Sequence, residues 1–147
     1  MSQERWHQSQ LRVRYEETDQ MGVVYHANYL TWFEIGRTEL IRDLGYPYRK
    51  IEEKGLLLPV TEAELKFKRP ARYDDLIGIY TRVSQTGSVR LQFSYEIRRI
   101  LEGEPEELLV TGTSHHVWVN PSWKPVRIEK EAPDLWQVIT NYTDEGG

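Results

Sequence analysis

An acidic side chain lies shortly before the predicted start of the longest helix in this chain. Residues 15–45 read YEETDQMGVVYHANYLTWFEIGRTELIRDLG, with Asp19 ahead of a turn at Gly22 and His26 where the helix should begin. A carboxylate can act as a general base or as a nucleophile. The free N–H groups of a first helical turn can bind a developing oxyanion. The spacing therefore predicts a site that combines a reactive carboxylate with an oxyanion-binding helix start.

Each of these residues also has a simpler structural interpretation. From spacing alone, Asp19 is more often a turn residue that caps its own loop backbone. The functional role gains support because Gly22 and the helix start follow so closely. Glu16 and Glu17 are close enough in sequence to be mistaken for the active carboxylate. His26 can act through its side chain or only through its backbone N–H.

Metal and thiol chemistry have little support. The chain contains four His and no Cys, which excludes disulfides, thiolate ligands and Cys nucleophiles. His115 and His116 are neighbours on a predicted strand, so their side chains point to opposite faces and cannot share one metal ion. We predict no metal and no cofactor.

Glu34, on the rim of the helix, is a second candidate carboxylate, and its simpler role is that of a solvated surface residue. The arginines that could bind phosphate are Arg69, Arg72, Arg90, Arg98 and Arg99.

The helix that must position the site is predicted at about residues 27–43, and Gly45 ends it. Gly36, in the middle of its apolar stripe, costs roughly 1 kcal/mol relative to Ala, so we predict a close approach to a sheet there. Trp32 and Ile35 fall outside the stripe and predict a subunit contact. The stripe itself comprises Tyr29, Phe33, Gly36, Leu40 and Leu44, widened by Leu30 and Ile41.

The rest of the chain reads mostly as strands. Alternation predicts a first strand at residues 11–15, a hairpin turn at 86–88, and a long strand at 108–119 that should be central because both its faces are apolar. Strand, long helix and then four or five antiparallel strands predict an α+β fold in which a curved sheet of about five strands wraps one helix.

We expect a single domain across residues 1–147, with its core at about 9–130 and a short C-terminal helix at about 132–142. The terminal segments 1–8 and 144–147 are predicted to be disordered. Net charge is −4 with an isoelectric point near 5.6, which argues against a nucleic-acid partner. The polar N-terminus lacks the apolar region of a secretory signal. No apolar run approaches the ~20 residues of a membrane helix, so we expect a cytoplasmic protein with no membrane span.

Residues 12–41, RVRYEETDQMGVVYHANYLTWFEIGRTELI, resemble the signature of the 4-hydroxybenzoyl-CoA thioesterase family of hotdog-fold acyl-CoA thioesterases. The pattern Y-x-x-T-D-x-x-G-V-V-Y-H-x-x-Y is matched from Tyr15 to Tyr29. The similarity continues through FKRPARYDD, residues 67–75, to about Val119. This resemblance implies a hotdog fold and an acyl-CoA substrate. It also implies a homodimer joined through sheet edges, often paired into a homotetramer, with the active site at the subunit interface.

The resemblance also implies a role for individual residues. Asp19 would be the catalytic carboxylate, which either attacks the thioester carbonyl or activates a water molecule. His26 would polarise the carbonyl through its backbone N–H. Arg90 is a weak candidate for binding coenzyme A, because the turn at 86–88 lacks the basic residues that the family has near its hairpin. The predicted substrate-binding residues are Gly22, Val24, Tyr25 and Tyr29.

Thioester hydrolysis to a free acid and coenzyme A is therefore the leading prediction. One alternative is a hotdog dehydratase or hydratase acting on acyl thioesters, which His26 keeps open, although the order of Asp19 before His26 argues against it. The other alternative is a non-catalytic acyl-CoA binding protein, because a fold alone does not determine function.

Overall fold

The computed structural model describes the backbone of residues 6–146 and the side chains of residues 6–143. Its strands form one antiparallel sheet in the order β1-β3-β4-β5-β2, and the long helix α1 lies against this sheet. The predicted α+β architecture is thus confirmed. In chain order the strands are β1 (His7–Arg12), β2 (Val60–Phe67), β3 (Leu76–Thr86), β4 (Arg90–Arg99) and β5 (Glu107–Val117). The helices are α1 (Asn28–Asp43), α2 (Tyr48–Glu53), α3 (Ile128–Glu131) and α4 (Pro133–Gly146).

Helix α1 approaches the sheet most closely at Gly36, as predicted. A Cβ atom built on Gly36 would lie 2.3 Å from Thr81 Oγ1 and 2.8 Å from Ile79 Cγ2, which are distances that real Cβ atoms do not adopt. Position 36 must therefore be Gly for α1 to lie this close to β3. The residues of α1 that are buried are Tyr29, Trp32, Phe33, Gly36, Leu40 and Ile41.

Two predictions about the faces of α1 are wrong. Trp32, predicted to be outside the core, is 0% exposed, and its Nε1–H donates a hydrogen bond of 3.0 Å to Glu17 Oε2. Leu30, predicted to be part of the core stripe, is 45% exposed. The buried face of α1 includes Trp32 and excludes Leu30, because the segment that precedes the helix covers the side on which Trp32 lies. Ile35 is exposed, as predicted.

The first strand begins and ends earlier than predicted. His7 and Gln8, which we expected to be disordered, pair with Thr81 and Tyr80 of β3. Tyr15, the predicted end of the strand, instead begins a 3-10 turn at Tyr15–Glu17 and is 76% exposed. The chain leaves the sheet after Arg12, so alternation beyond that point reflects a turn. Residues 1–5 of the predicted disordered segment lie outside the described residues.

The C-terminal helix is longer than predicted. Helix α4 runs through Pro133–Gly146, so the backbone of residues 144–146 is helical, whereas we expected a disordered tail. Gly147 lies outside the described residues. The burial of Leu135 and Ile139 shows that α4 adds to the core.

The long strand β5 is an interior strand, but it is not the middle of the sheet. It lies between β4 and the edge strand β2, so it is central in being paired on both sides, as predicted. Its His115 and His116 do point to opposite faces: His116 is 1% exposed and His115 is partly exposed. None of the helices in the described chain is long and apolar enough to span a membrane.

Candidate active site

The loop between β1 and α1 holds Asp19 in a tight turn. Asp19 Oδ1 accepts a hydrogen bond of 2.8 Å from the Met21 N–H, and the Asp19 N–H donates to the Val23 carbonyl at 2.8 Å. Gly22 has a φ of +81°, a conformation that L side chains adopt only at a cost. Asp19 therefore does have the structural role of a turn residue. The turn engages only the Oδ1 oxygen of the carboxylate, whereas Oδ2 accepts no hydrogen bond from residues 6–146.

The Asp19 side chain lines a pocket of about 260 Å³. Three segments form its wall: the loop before α1, Tyr29 of α1, and residues 67–70 at the end of β2. The loop contributes Asp19, Met21, Val23, Val24 and His26, whereas the predicted residues Gly22 and Tyr25 do not line the pocket. The wall contains apolar side chains, with Lys68 and Arg69 adding positive charge at its edge. The structure therefore brings Asp19 and the start of α1 to one pocket, as the spacing predicts.

The start of α1 leaves backbone donors at this pocket. Ala27 is the N-cap residue and makes no side-chain capping hydrogen bond. The Tyr25 N–H donates to the Glu17 carbonyl, and the Asn28 N–H to the Tyr25 carbonyl, both at 2.9 Å. The His26 N–H between them donates to no group in the backbone of residues 6–146 or the side chains of residues 6–143. The His26 ring is exposed, with its centroid 4.5 Å from that of Tyr25.

Glu17 is a structural carboxylate. Its Oε1 accepts a hydrogen bond of 2.8 Å from the Arg14 N–H, and its Oε2 accepts the one from Trp32 Nε1. The Glu17 side chain is 12% exposed, whereas that of Glu16 is 70% exposed. Both oxygens of Glu17 are engaged, and neither Glu16 nor Glu17 lines the pocket, so Asp19 is the loop carboxylate with an oxygen available there.

Tyr29 joins the walls of the pocket. Its hydroxyl accepts a hydrogen bond of 3.1 Å from the Ala71 N–H, and the Val24 N–H donates to the Ala71 carbonyl at 2.9 Å. Burial raises the pKa of the Tyr29 hydroxyl. The Tyr29 ring lies edge-on to Phe67, with centroids 5.7 Å apart. Tyr29 and Val24 are thus part of the pocket wall, while Tyr25 stands 48% exposed beside it.

Phe67 and Lys68 are pocket residues that the sequence did not single out. The backbone N–H groups of Lys68 and Arg69 both donate to the Leu109 carbonyl, at 2.8 and 3.1 Å, which turns the chain toward the Asp19 loop. Arg69 pairs with Glu107 at 2.9 Å. The signal available in the sequence was the stretch FKRPARYDD, which lies at the turn after β2.

Arg90 lies away from the other predicted site residues. It lines a separate pocket of about 240 Å³ at the β3–β4 hairpin, with His115 and His116. Arg90 pairs with Val117 of β5, whereas Phe67 pairs with Val110. The distance from Val110 to Val117 along β5 is about 23 Å, so Arg90 and Phe67 lie that far apart in the direction of the strands. No group of acidic or His side chains within residues 6–143 is arranged to bind a metal ion.

A chain of buried polar groups crosses the interface between α1 and the sheet. Arg37 Nη1 donates to the Tyr95 hydroxyl at 3.4 Å, and that hydroxyl lies 2.6 Å from Ser114 Oγ. Ser114 Oγ lies 2.8 Å from His116 Nε2, and His116 Nδ1 lies 3.3 Å from the Leu58 carbonyl. With the His116 proton on Nδ1, each contact among Tyr95, Ser114, His116 and the Leu58 carbonyl has one donor and one acceptor.

The state of His116 makes stability depend on pH. Burial, and then the charge of Arg37, lower the pKa of His116 from 6.5 to about 4. The unfolded chain therefore binds a proton that the folded chain excludes between these two values. We expect the free energy of unfolding to fall by about 3 kcal/mol as pH drops from 6.5 toward 4. Urea unfolding of the wild type and of His116→Gln at several pH values in this range tests this expectation. The free energy of unfolding should change less steeply with pH in the variant, and equal changes with pH in the two proteins would contradict it.

The comparisons with known proteins agree with this geometry. Residues 13–132 match the family model described as the Thioesterase-like superfamily. YneP of Bacillus subtilis, named as a candidate acyl-CoA thioesterase, is 40% identical over 126 residues, which cover 85% of this chain and 88% of YneP. The acyl-CoA thioester hydrolase YbgC of Escherichia coli O6:H1 is 33% identical over 103 residues, covering 68% of this chain and 77% of that protein.

Solved structures support the same fold. The DHNA-CoA thioesterase of Staphylococcus aureus has a TM-score of 0.85 and 32% sequence identity, and the match covers 97% of this chain and 95% of that one. A 4-hydroxybenzoyl CoA thioesterase in complex with 4-hydroxybenzoyl CoA has a TM-score of 0.82 at 18% identity, which concerns the fold alone. From the family match and this common hotdog architecture, we conclude that the chain belongs to the Thioesterase-like superfamily.

Proposed function

We propose that this protein is an acyl-CoA thioesterase, which hydrolyses an acyl-CoA to the free acid and coenzyme A. One observation carries the proposal: Asp19 Oδ2 and the backbone N–H of His26 have no hydrogen-bond partner among the described groups, and both residues line one pocket. The described groups are the backbone of residues 6–146 and the side chains of residues 6–143. The names of the relatives YneP and YbgC describe this class of reaction.

The chemistry follows from these two groups. The thioester oxygen accepts a hydrogen bond from the His26 N–H, and the dipole of α1 stabilises the negative charge that develops there. Asp19 Oδ2 either attacks the carbonyl carbon or removes a proton from a water molecule that attacks it. Attack by Asp19 forms an acyl-enzyme anhydride, which water then hydrolyses. In both routes coenzyme A leaves as a thiolate and water supplies the second oxygen of the acid.

The pocket wall supplies the substrate contacts in this proposal. Val24, Tyr29 and Phe67 offer an apolar surface to the acyl group. Gly22 permits the turn of the Asp19 loop through its φ of +81°, and not through lack of space, since a Cβ placed on it meets no atom within 4 Å. The Tyr25 ring lies beside that of His26, with the two centroids 4.5 Å apart. A hydratase would need a His and carboxylate pair, and the His26 ring meets no carboxylate in residues 6–143, which favours hydrolysis.

We further propose that the protein forms a homodimer through its β2 edges, which can pair into a homotetramer. Strand β2 has β5 on one side and is exposed at all its residues except Leu65. Antiparallel pairing of two β2 edges would place the Val60 end of one copy beside the Phe67 end of the other. It would also bring Arg90 toward the Asp19 pocket of the partner copy. We assign the protein to the cytoplasm, which its lack of Cys suits.

Release of free thiol from a panel of acyl-CoAs tests the proposal. We expect coenzyme A and free acid to appear in equal amounts, with short aliphatic, long aliphatic and aromatic acyl groups compared in parallel. The protein has no Cys, so it does not react with the thiol reagent. Calorimetric binding of acyl-CoA without thiol release would contradict hydrolysis and favour a binding protein. Addition of water to an enoyl-CoA would favour a hydratase.

A further inference from the structure

A second pocket lies between α1 and the edge strand β2. It has a volume of about 320 Å³, and most of its wall is apolar, formed by Leu30, Phe33, Val60 and Ala63. Arg37 and Ser114 also line it, with Glu34 at the rim. This pocket extends along the same helix whose first turn lines the Asp19 pocket. From residue 28 to residue 37 the helix rises about 13 Å, and the Arg37 side chain tilts back toward the helix start.

Arg37 is a buried guanidinium whose ion pair, with Glu34, is long and involves an exposed carboxylate. Its side chain is 11% exposed, and Glu34 Oε2 lies 4.0 Å from Nη2 on a side chain that is 65% exposed. By comparison, Arg99 is 16% exposed and pairs with Asp75 at 2.9 Å and with Glu107. Buried charges are normally paired and fully hydrogen-bonded. Arg99 satisfies that rule, whereas Arg37 does not.

Apart from the exposed Glu34, the groups that contact Arg37 are neutral and hold its position. Tyr95 accepts its hydrogen bond at 3.4 Å, and burial raises the pKa of Tyr95. Tyr48 is also adjacent, and burial raises the pKa of Tyr48 to about 12. The relay behind Tyr95 ends at His116, which is uncharged at neutral pH because burial lowers its pKa to about 4. The positive charge of Arg37 is therefore held in position, and its counter-ion is an exposed carboxylate 4.0 Å away.

The same relay contains a Ser and His pair that resembles a nucleophile and its base. Ser114 Oγ lies 2.8 Å from His116 Nε2, but a base with a pKa near 4 removes a proton poorly at neutral pH. The far side of His116 faces the Leu58 carbonyl, not a carboxylate. The pair is thus better suited to positioning Arg37 than to attacking a thioester.

We propose that Arg37 binds a carboxylate at the end of the acyl group farthest from the thioester, so that the preferred substrates are acyl-CoAs whose acyl chain ends in an acid. This inference rests on the proposed thioesterase function. A guanidinium binds a carboxylate through two parallel hydrogen bonds, and the apolar wall suits the methylene groups before it. The diphosphate of coenzyme A fits this pocket poorly, because a bulky and strongly hydrated group would lie against apolar side chains.

Matched pairs of acyl-CoAs test the role of Arg37. Each pair has one chain length and ends in either a carboxyl or a methyl group, and the pairs cover short, medium and long chains. For the best pair we expect Arg37→Met to lower kcat/KM for the carboxyl substrate by about 10- to 100-fold, with little change for the methyl substrate. Arg42→Met is the control, since Arg42 lies on the same helix, is 54% exposed and pairs with Glu39. Equal losses for both substrates, or none, would overturn the proposal.

Measurements of substrate binding test the role of Arg37 independently of the thioesterase reaction. Calorimetry with Asp19→Asn should give tighter binding of the carboxyl member of the best pair, and adding Arg37→Met should remove that preference. Equal affinities in Asp19→Asn would overturn the role of Arg37 even if hydrolysis occurs. A preference for the carboxyl substrate without any hydrolysis by the wild type would support Arg37 and reject the thioesterase function. If Arg37→Met does not fold, Arg37→Lys keeps the charge but not the two parallel hydrogen bonds and should reduce the preference.

Discussion

Replacing Asp19 with Asn should lower kcat/KM for acyl-CoA hydrolysis by about 10²- to 10⁴-fold. Asn keeps an Oδ1 that can accept the 2.8 Å hydrogen bond from the Met21 N–H, so the turn should persist. What is lost is the second carboxylate oxygen, which accepts no hydrogen bond from residues 6–146 and which we assign to the chemistry. The loss will be larger if Asp19 is the nucleophile, because no acyl-enzyme can then form. The measurement is thiol release under conditions that give both kcat and KM.

The control for this variant is Glu16→Gln, which removes a neighbouring charge from an exposed side chain and should leave kcat/KM nearly unchanged. Matching circular dichroism spectra and melting temperatures would show that both variants fold. Normal turnover by Asp19→Asn would reject Asp19 as the active carboxylate and direct attention to Glu34. Mass spectrometry after rapid quenching would detect an acyl group on the wild type if Asp19 attacks directly.

Replacing Gly36 with Val should lower the free energy of unfolding by about 3 kcal/mol or more, at the upper end of what overpacking costs. The new Cβ would lie 2.3 Å from Thr81 Oγ1, so α1 must move away from β3. The gain in helix propensity from Gly to Val is a few tenths of a kcal/mol and cannot offset this. Urea unfolding monitored by circular dichroism gives the difference directly.

A double-mutant cycle identifies the contact responsible. Thr81→Ala removes the Oγ1 atom, which is buried and has no hydrogen-bond partner in the described residues. Introducing Gly36→Ala should therefore lower the stability of the wild-type protein more than that of the Thr81→Ala variant, with a coupling energy of about 1 kcal/mol. Thr31→Val, at an exposed position of α1, is the control for a β-branched apolar residue on this helix. Unchanged stability in Gly36→Val would show that the helix and sheet are not in tight contact.

The parts that can be predicted from sequence are those that local patterns determine. Helix α1 is predictable because apolar residues recur at its period and Gly45 ends it. The close approach at Gly36 is predictable because Gly in a helix interior needs a compensating reason. The turn at Asp19 and Gly22 is set by neighbouring residues, so it too can be predicted. For the same reason the β3–β4 hairpin lies where the Gly87 turn indicates.

The other parts depend on contacts between distant segments. Trp32 is buried because Glu17 and the loop before α1 cover it, and helical periodicity contains no information about that loop. The place of β5 beside an edge follows from strand pairing, which an apolar pattern does not specify. Phe67 and Lys68 reach the Asp19 pocket only because β2 ends there. The long ion pair of Arg37 with an exposed carboxylate becomes apparent only when its neighbours are known.

The order of strands in the sheet has a consequence for how this protein folds. Strands β3, β4 and β5 follow one another and pair as neighbours, so they can form from local hairpins. Strand β1 must instead bring His7 to Thr81, and β2 must bring Val60 to His116, which closes long loops at an entropic cost.

The Asp19 loop follows β1, and residues 67–70 lie at the end of β2. The two walls of the pocket therefore form only when the two edge strands pair with the sheet. They meet at the bridge between Val23 and Arg72. The three-stranded core can therefore form before the pocket exists, and the pocket should be among the last parts of the molecule to assemble.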